Sequence, residues 1–196
     1  KGDFEKILNQ QQIEQKWETF RKTKITSIDF LNQLKNQNEK AANDFIRTLN
    51  REFSNGNVLK NTLNKNLFYH ILLKSNIGAE LQDYSFTQSS QIFPNQDLLI
   101  LVKKNIVSEK DNILTIKLTG ELQRDNISET ELEKLYNEIY KPILKFSYTE
   151  FDFIYRITYS VNTENGLLLD GRASFSEKVK NNFECITQFE INQIEL

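Results

Sequence analysis

Five side chains in this sequence stand out, by type and by setting, as candidates for proton transfer or nucleophilic attack: His70, Cys185, Glu177, Tyr155 and Tyr159. His70 is the single histidine and sits in Phe68-Tyr69-His70-Ile71-Leu72, with no Cys, Asp or Glu within four residues. It reads as a structural, part-buried histidine, with a general base as the alternative. Cys185 is the single cysteine. It falls on the apolar side of a strand, where a thiol is normally inert packing. A Cys-His nucleophile would require those two residues to meet. One histidine and one cysteine are too few to build a zinc site, so no metal is expected.

Glu177 breaks the pattern of its own surroundings, because it shares a face with Phe153, Phe175, Val179 and Cys185. A carboxylate buried without a partner is costly. It must reach the rim of the sheet, find a partner, or be functional, and its place near the open end of a hairpin favours the rim. If the sheet curves around a pocket, Glu177 with Tyr155 and Tyr159 supplies the acid/base or binding group. An apolar setting would then raise the carboxyl pKa toward one suited to proton transfer. There is no Gly-x-Ser-x-Gly, no phosphate-binding glycine loop and no dinucleotide fingerprint. With six glycines in the chain a nucleotide cradle is not expected, and no cofactor is. Asn126-Ile127-Ser128 is a glycosylation sequon that coincides with a helix start.

The elements that must position these residues begin with the C-terminal third. Phe151, Phe153, Tyr155, Ile157, Tyr159 and Val161 alternate with mostly polar residues, the period of a strand with one buried face. Glu164-Asn165-Gly166 as a three-residue loop, with Gly166 left-handed, pairs Val161 with Leu169, Tyr159 with Gly171, Ile157 with Ala173 and Tyr155 with Phe175. A two-residue loop would oppose Tyr159 to Arg172 and put every side chain on the wrong face. Lys180-Asn181-Asn182 as the second loop, with Asn182 left-handed, pairs Val179 with Phe183 and Glu177 with Cys185. It also aligns Asp152, Lys178 and Glu184, and sets Arg172 against Glu190. Gly171 and Ala173 leave a hollow beside large aromatics, so either a helix packs closely there or the sheet curves around a cavity.

Upstream, Asp3 to about Lys22 reads as an amphipathic helix with Phe4, Ile7, Leu8, Ile13, Trp17 and Phe20 on one stripe. A second, longer helix is expected to about Phe53, capped by Thr26 or Ser27 and stopped by Gly56, forming an antiparallel hairpin with the first. Val58 to Lys74 fits a third helix or a buried strand, and the spacing of four from Leu59 favours helix. Gly78 to Asn95 reads as loop with a short strand at Asp83 to Thr87. A hairpin of Asp97 to Val107 and Asn112 to Leu122 turns at Glu109-Lys110-Asp111, with Lys103-Lys104 marking a bulge or an edge. Ser128-Glu129-Thr130-Glu131 is a capping box between the staple residues Ile127 and Leu132, and it opens a helix that Pro142 ends.

The 196 residues are 38% hydrophobic and 27% charged, a globular composition. A net charge of −2 gives no basic excess for a nucleic-acid partner. No apolar run reaches the length of a membrane span. The chain opens Lys-Gly-Asp and has no methionine, which reads as a processed or trimmed chain whose leader is not visible; compartment is left undefined.

The fold expected is α+β: helices, two strands, one helix and three strands, with the N-terminal helices on a curved antiparallel sheet. Residues 1–22 form an amphipathic helix beside one domain over 24–196. From about residue 24 this element order resembles the cone-shaped NTF2-like architecture. That resemblance implies long helices in the hollow of a strongly curved sheet, often with a pocket. It also implies a range of roles from isomerases, hydratases and ligand binders to non-catalytic scaffold modules.

Three readings follow. The first is a non-catalytic protein-binding or scaffold domain, docking on a protein partner or membrane-associated assembly through Phe4, Ile7, Leu8, Trp17 and Phe20. The second is a small apolar ligand or lipid binder, with Tyr155, Tyr159, Gly171, Ala173 and Glu177 lining the pocket. The third is an isomerase- or hydratase-like enzyme using Glu177 or His70.

Overall fold

A computed structural model describes residues 7–63, 70–71, 83–93 and 95–192. Phe4 and most of the 64–82 stretch, which takes in the second half of the third helix expected over Val58 to Lys74, lie outside the described residues. The chain divides into two compact units, Lys1–Asn76 and Ile77–Leu196. The described residues of the first are mainly helical and the second carries a six-stranded antiparallel sheet, an α+β arrangement.

The helical unit contains α1 (Gln10–Thr23), α2 (Asp29–Gln37), α3 (Glu39–Ser54) and α4 (Gly56–Leu63). The single long helix expected over this region is two. Asn38 leaves the helical region at φ −148° and ψ 82°, and its side chain accepts the Ala41 N–H to cap α3. Neither Thr26 nor Ser27 caps α2. Ile28 occupies that position without a side-chain bond, and the Ser27 hydroxyl donates to the Lys24 carbonyl. Gly56 does not end a helix but begins α4. The antiparallel pairing of α1 with α3 is as expected, since Trp17 stacks on Phe53 with ring centroids 5.0 Å apart and donates to Asn50. Further back along α1, Gln10 lies against Gly56. Trp17, Ile25 and Leu31 form the buried cluster, with Phe30, Ile46 and Phe53 packed against it.

The second unit runs β1 (Tyr84–Ser89), β2 (Asp97–Lys110), β3 (Ile113–Leu122), α5 (Glu129–Ile139), α6 (Lys141–Leu144), β4 (Phe151–Asn162), β5 (Leu168–Val179) and β6 (Phe183–Asn192). The short strand expected at Asp83 to Thr87 forms as β1 and joins the sheet beside β2, making six strands among the described residues. The strand order is sequential from β1 to β6. The pairs Tyr159–Gly171, Ile157–Ala173, Tyr155–Phe175, Glu177–Cys185 and Val179–Phe183 are those the alternation predicts. Val161 departs from it: it faces Leu168, with Leu169 inserted as a bulge. Gly166 is left-handed as expected, at φ 71°. In the second loop it is Asn181, not Asn182, that turns left-handed, and the Asn182 N–H closes the turn on the Val179 carbonyl. The β2–β3 turn is also displaced by a residue. Asp111 and Asn112 both have positive φ, as a two-residue type I′ hairpin requires. The bulge on β2 lies at Val107, and β2 is an internal strand.

The capping box of α5 forms in its forward half, with Ser128 Oγ accepting the Glu131 N–H at 3.3 Å. Glu131 itself accepts from the Gln96 amide. Pro142 sits in the first turn of the short α6, where its missing N–H costs nothing. Ser128→Ala should cost the sheet unit about 1 kcal/mol in a urea titration. A loss below a few tenths would mean that the neighbouring contacts, not the cap, define where α5 starts.

One inner face runs through all six strands. Leu98, Ile100 and Val102 on β2, Leu114, Ile116 and Leu118 on β3, and the odd-numbered residues Phe151–Val161 on β4 are buried along it. The sheet is strongly curled toward that face. Strands lie about 4.8 Å apart, so β1 and β4 would be about 14 Å apart in a flat sheet. Yet the Phe86 ring of β1 stands 5.4 Å from Tyr155 of β4, and Tyr155 stands 5.0 Å from Phe175 of β5.

Candidate functional site

The curl brings the β1–β2 connection onto the far side of the sheet. Ser90 Oγ donates to Glu177 Oε2 at 2.6 Å. The Gln91 N–H lies 2.9 Å from both carboxylate oxygens, and the Ile92 N–H reaches Oε2 at 3.4 Å. Ser90 Oγ also accepts the Phe93 N–H, so the connection folds around the carboxylate. Gln91 Oε1 accepts from Cys185 Sγ at 3.2 Å and from Thr187 Oγ1 at 3.1 Å on β6. From the C-terminal end of α5, in the same unit, the Tyr140 hydroxyl donates to the Ile92 carbonyl. Phe93 packs edge-on to Phe151, closing this end of the inner face.

Glu177 therefore does not reach the rim: it is 2% exposed. Burial pushes its carboxyl above the ordinary carboxylate range, and the bonds from Ser90, Gln91 and Ile92 pull the other way with smaller effect. Cys185 is half-buried and its thiol is pushed up, chiefly by burial and then by Glu177. The group its thiol meets is an amide oxygen, which is no base for making a thiolate.

Tyr155 and Tyr159 are fully buried, as are Gly171 and Ala173 on the same face. Tyr155 is held among Phe86, Phe175 and the hydroxyl of Tyr84, and burial raises its phenol far above the usual value. At this level aromatic rings fill the hollow of the sheet. His70 is 1% exposed and belongs to the helical unit. Among the expected docking residues, Ile7 is half-buried and Trp17 is core, whereas Leu8 is 82% and Phe20 47% exposed.

Lys104 was missed as an inner-face residue. It pairs with Leu118 and so points to the inner face, and burial lowers its pKa. The tandem Lys103-Lys104 held the signal, because a period of two sends one lysine to each side. Lys103 on the outer face takes Glu121 at 2.8 Å.

No cluster of three or more potential metal ligands occurs among the described residues, and none of their helices is long and apolar enough to cross a membrane. No family model, curated protein or solved structure matches this chain.

Proposed function

We propose that the chain is a non-catalytic protein-binding or scaffold domain acting within a larger assembly. The observation that carries this reading is the exposed remainder of the N-terminal stripe. Trp17 is taken into the helical core, but Leu8 just before α1 and Phe20 within it are left to solvent. Ile28 and Phe45 of the same unit are exposed as well. Exposed large apolar side chains are what a partner protein buries, and besides these four the sheet unit exposes six others among its described residues.

The architecture proposed is an NTF2-like cone, supported by the curl of the sheet and by α5, whose Tyr136 stacks near Phe183 at one end of the inner face. The acid-base reading is disfavoured because hydrogen-bond donors already engage both oxygens of Glu177. A ligand pocket at Tyr155 would need the space that Phe86 and Phe175 occupy.

The test is the full chain carrying Leu8→Ser and Phe20→Ser together, compared with the parent for proteins retained on purification from its own cells. Both positions are exposed, so the fold should survive, and retention of the partner should fall at least about tenfold. Unchanged retention of the same partner would remove the proposal. A small molecule co-purifying in native mass spectrometry, with no partner protein, would favour the pocket reading instead.

A further inference from the structure

Strand β6 is one edge of the sheet, and beyond the two carboxylates Glu184 and Glu190 it carries none of the devices with which edge strands avoid further pairing. It is ten residues long, Phe183–Asn192, against six for β1 at the opposite edge. It contains no proline, lysine or arginine, and its register with β5 runs unbroken by a bulge. Among the described residues no segment pairs with its outer edge. A long, regular edge of this kind is a template for another strand. On its outer face Ile186 stands 54% exposed between Glu184 and Gln188.

We propose that β6 pairs antiparallel with β6 of a second copy of this chain, about a two-fold axis passing at Ile186. A two-fold pair is self-complementary, so the strand's own sequence selects the register. Inner face must meet inner face, so the axis falls on a residue and not between two. An axis at Thr187 would set Glu184 opposite Glu190, and like charges directly opposed are unfavourable. An axis at Gln188 would set Ile186 against Glu190, and one at Phe189 would set it against Asn192. The axis at Ile186 places Ile186 against its own copy, Glu184 against Gln188, and on the inner face Phe183 against Phe189 and Cys185 against Thr187. Glu190 is left to its Arg172 partner at 3.1 Å. The result is a continuous twelve-stranded sheet, six strands from each copy.

Sedimentation of the full chain across about 10–300 µM tests the association, the range in which a small strand-to-strand interface declares itself. A dimer is expected. Ile186→Lys puts two cations on the axis and should weaken it at least about tenfold without changing the circular dichroism. The register is tested in a Cys185→Ser background. Ile186→Cys should oxidise to a covalent dimer, because directly opposed residues lie within disulfide reach, while Gln188→Cys should not. A monomer at every concentration, a dimer indifferent to Ile186→Lys, or cross-linking through position 188 in place of 186 would each overturn the proposal.

Discussion

Gly120→Val is expected to destabilise the sheet unit by about 3 kcal/mol, near the upper end for overpacking a filled core. Gly120 pairs with Tyr155 across β3 and β4. A Cβ there would lie 2.7 Å from the Cβ of Tyr155 and 2.8 Å from Cγ2 of Ile100. Neither neighbour is the free end of a flexible side chain. Tyr155 is confined by Phe86 and Phe175, and Ile100 is fully buried. The strand must therefore shift or the aromatic ladder must break. Near-UV circular dichroism in urea is the measurement, since six of the seven tyrosines lie in this unit and the sole tryptophan in the other. A loss under about 1 kcal/mol, the lower bound for overpacking, would show that the inner face has room to spare, and the pocket reading would regain ground.

The second large effect belongs to Glu177. Glu177→Leu should cost about 3 kcal/mol, because it strands the Gln91 N–H and the Ser90 hydroxyl and leaves the Ile92 N–H only its bond to Ser90 Oγ. Glu177→Gln keeps an acceptor oxygen and should cost on the order of 1 kcal/mol. The pH dependence separates the two states of the native residue. Its carboxyl is raised by burial, so the folded protein holds this proton more tightly than the unfolded chain does. The associated stability is fully present below the ordinary carboxylate value and is lost as pH rises through the raised one. Relative to Glu177→Gln, the parent should therefore lose stability as pH climbs from the ordinary carboxylate range through that raised value, and level off beyond it. The opposite slope would mean that the hydrogen bonds outweigh burial and that the anion is the favoured form.

The sheet register was legible because apolar residues at every second position leave one way to pair β4, β5 and β6 without exposing them. It failed at Val161, where Leu168 and Leu169 are both apolar and either satisfies the pattern. The β2–β3 turn was misplaced because Asp111-Asn112 lacks the glycine that usually marks a type I′ turn. The break at Asn38 was hidden because the apolar spacing carries through it from Leu34 to Ala42. Glu177 was visible as an anomaly but its partners were not. They lie 85 to 87 residues away, and strand alternation says nothing of how far a sheet curls.

That separation orders events in time. Hairpins such as β2–β3 close over short loops and can form early, whereas the contacts of Ser90 and Gln91 with β5 and β6 span up to 96 residues. On a ribosome the first strands of the sheet emerge long before Glu177 or Cys185 exists to receive the connection between them. Phe93 gains Tyr140 and Phe151 as ring neighbours before then, but the β5 and β6 side of this connection still has nothing to cover it. The chain must pass through synthesis with its greasiest concavity open, so its yield in a cell depends on what shields that half-built sheet during those seconds.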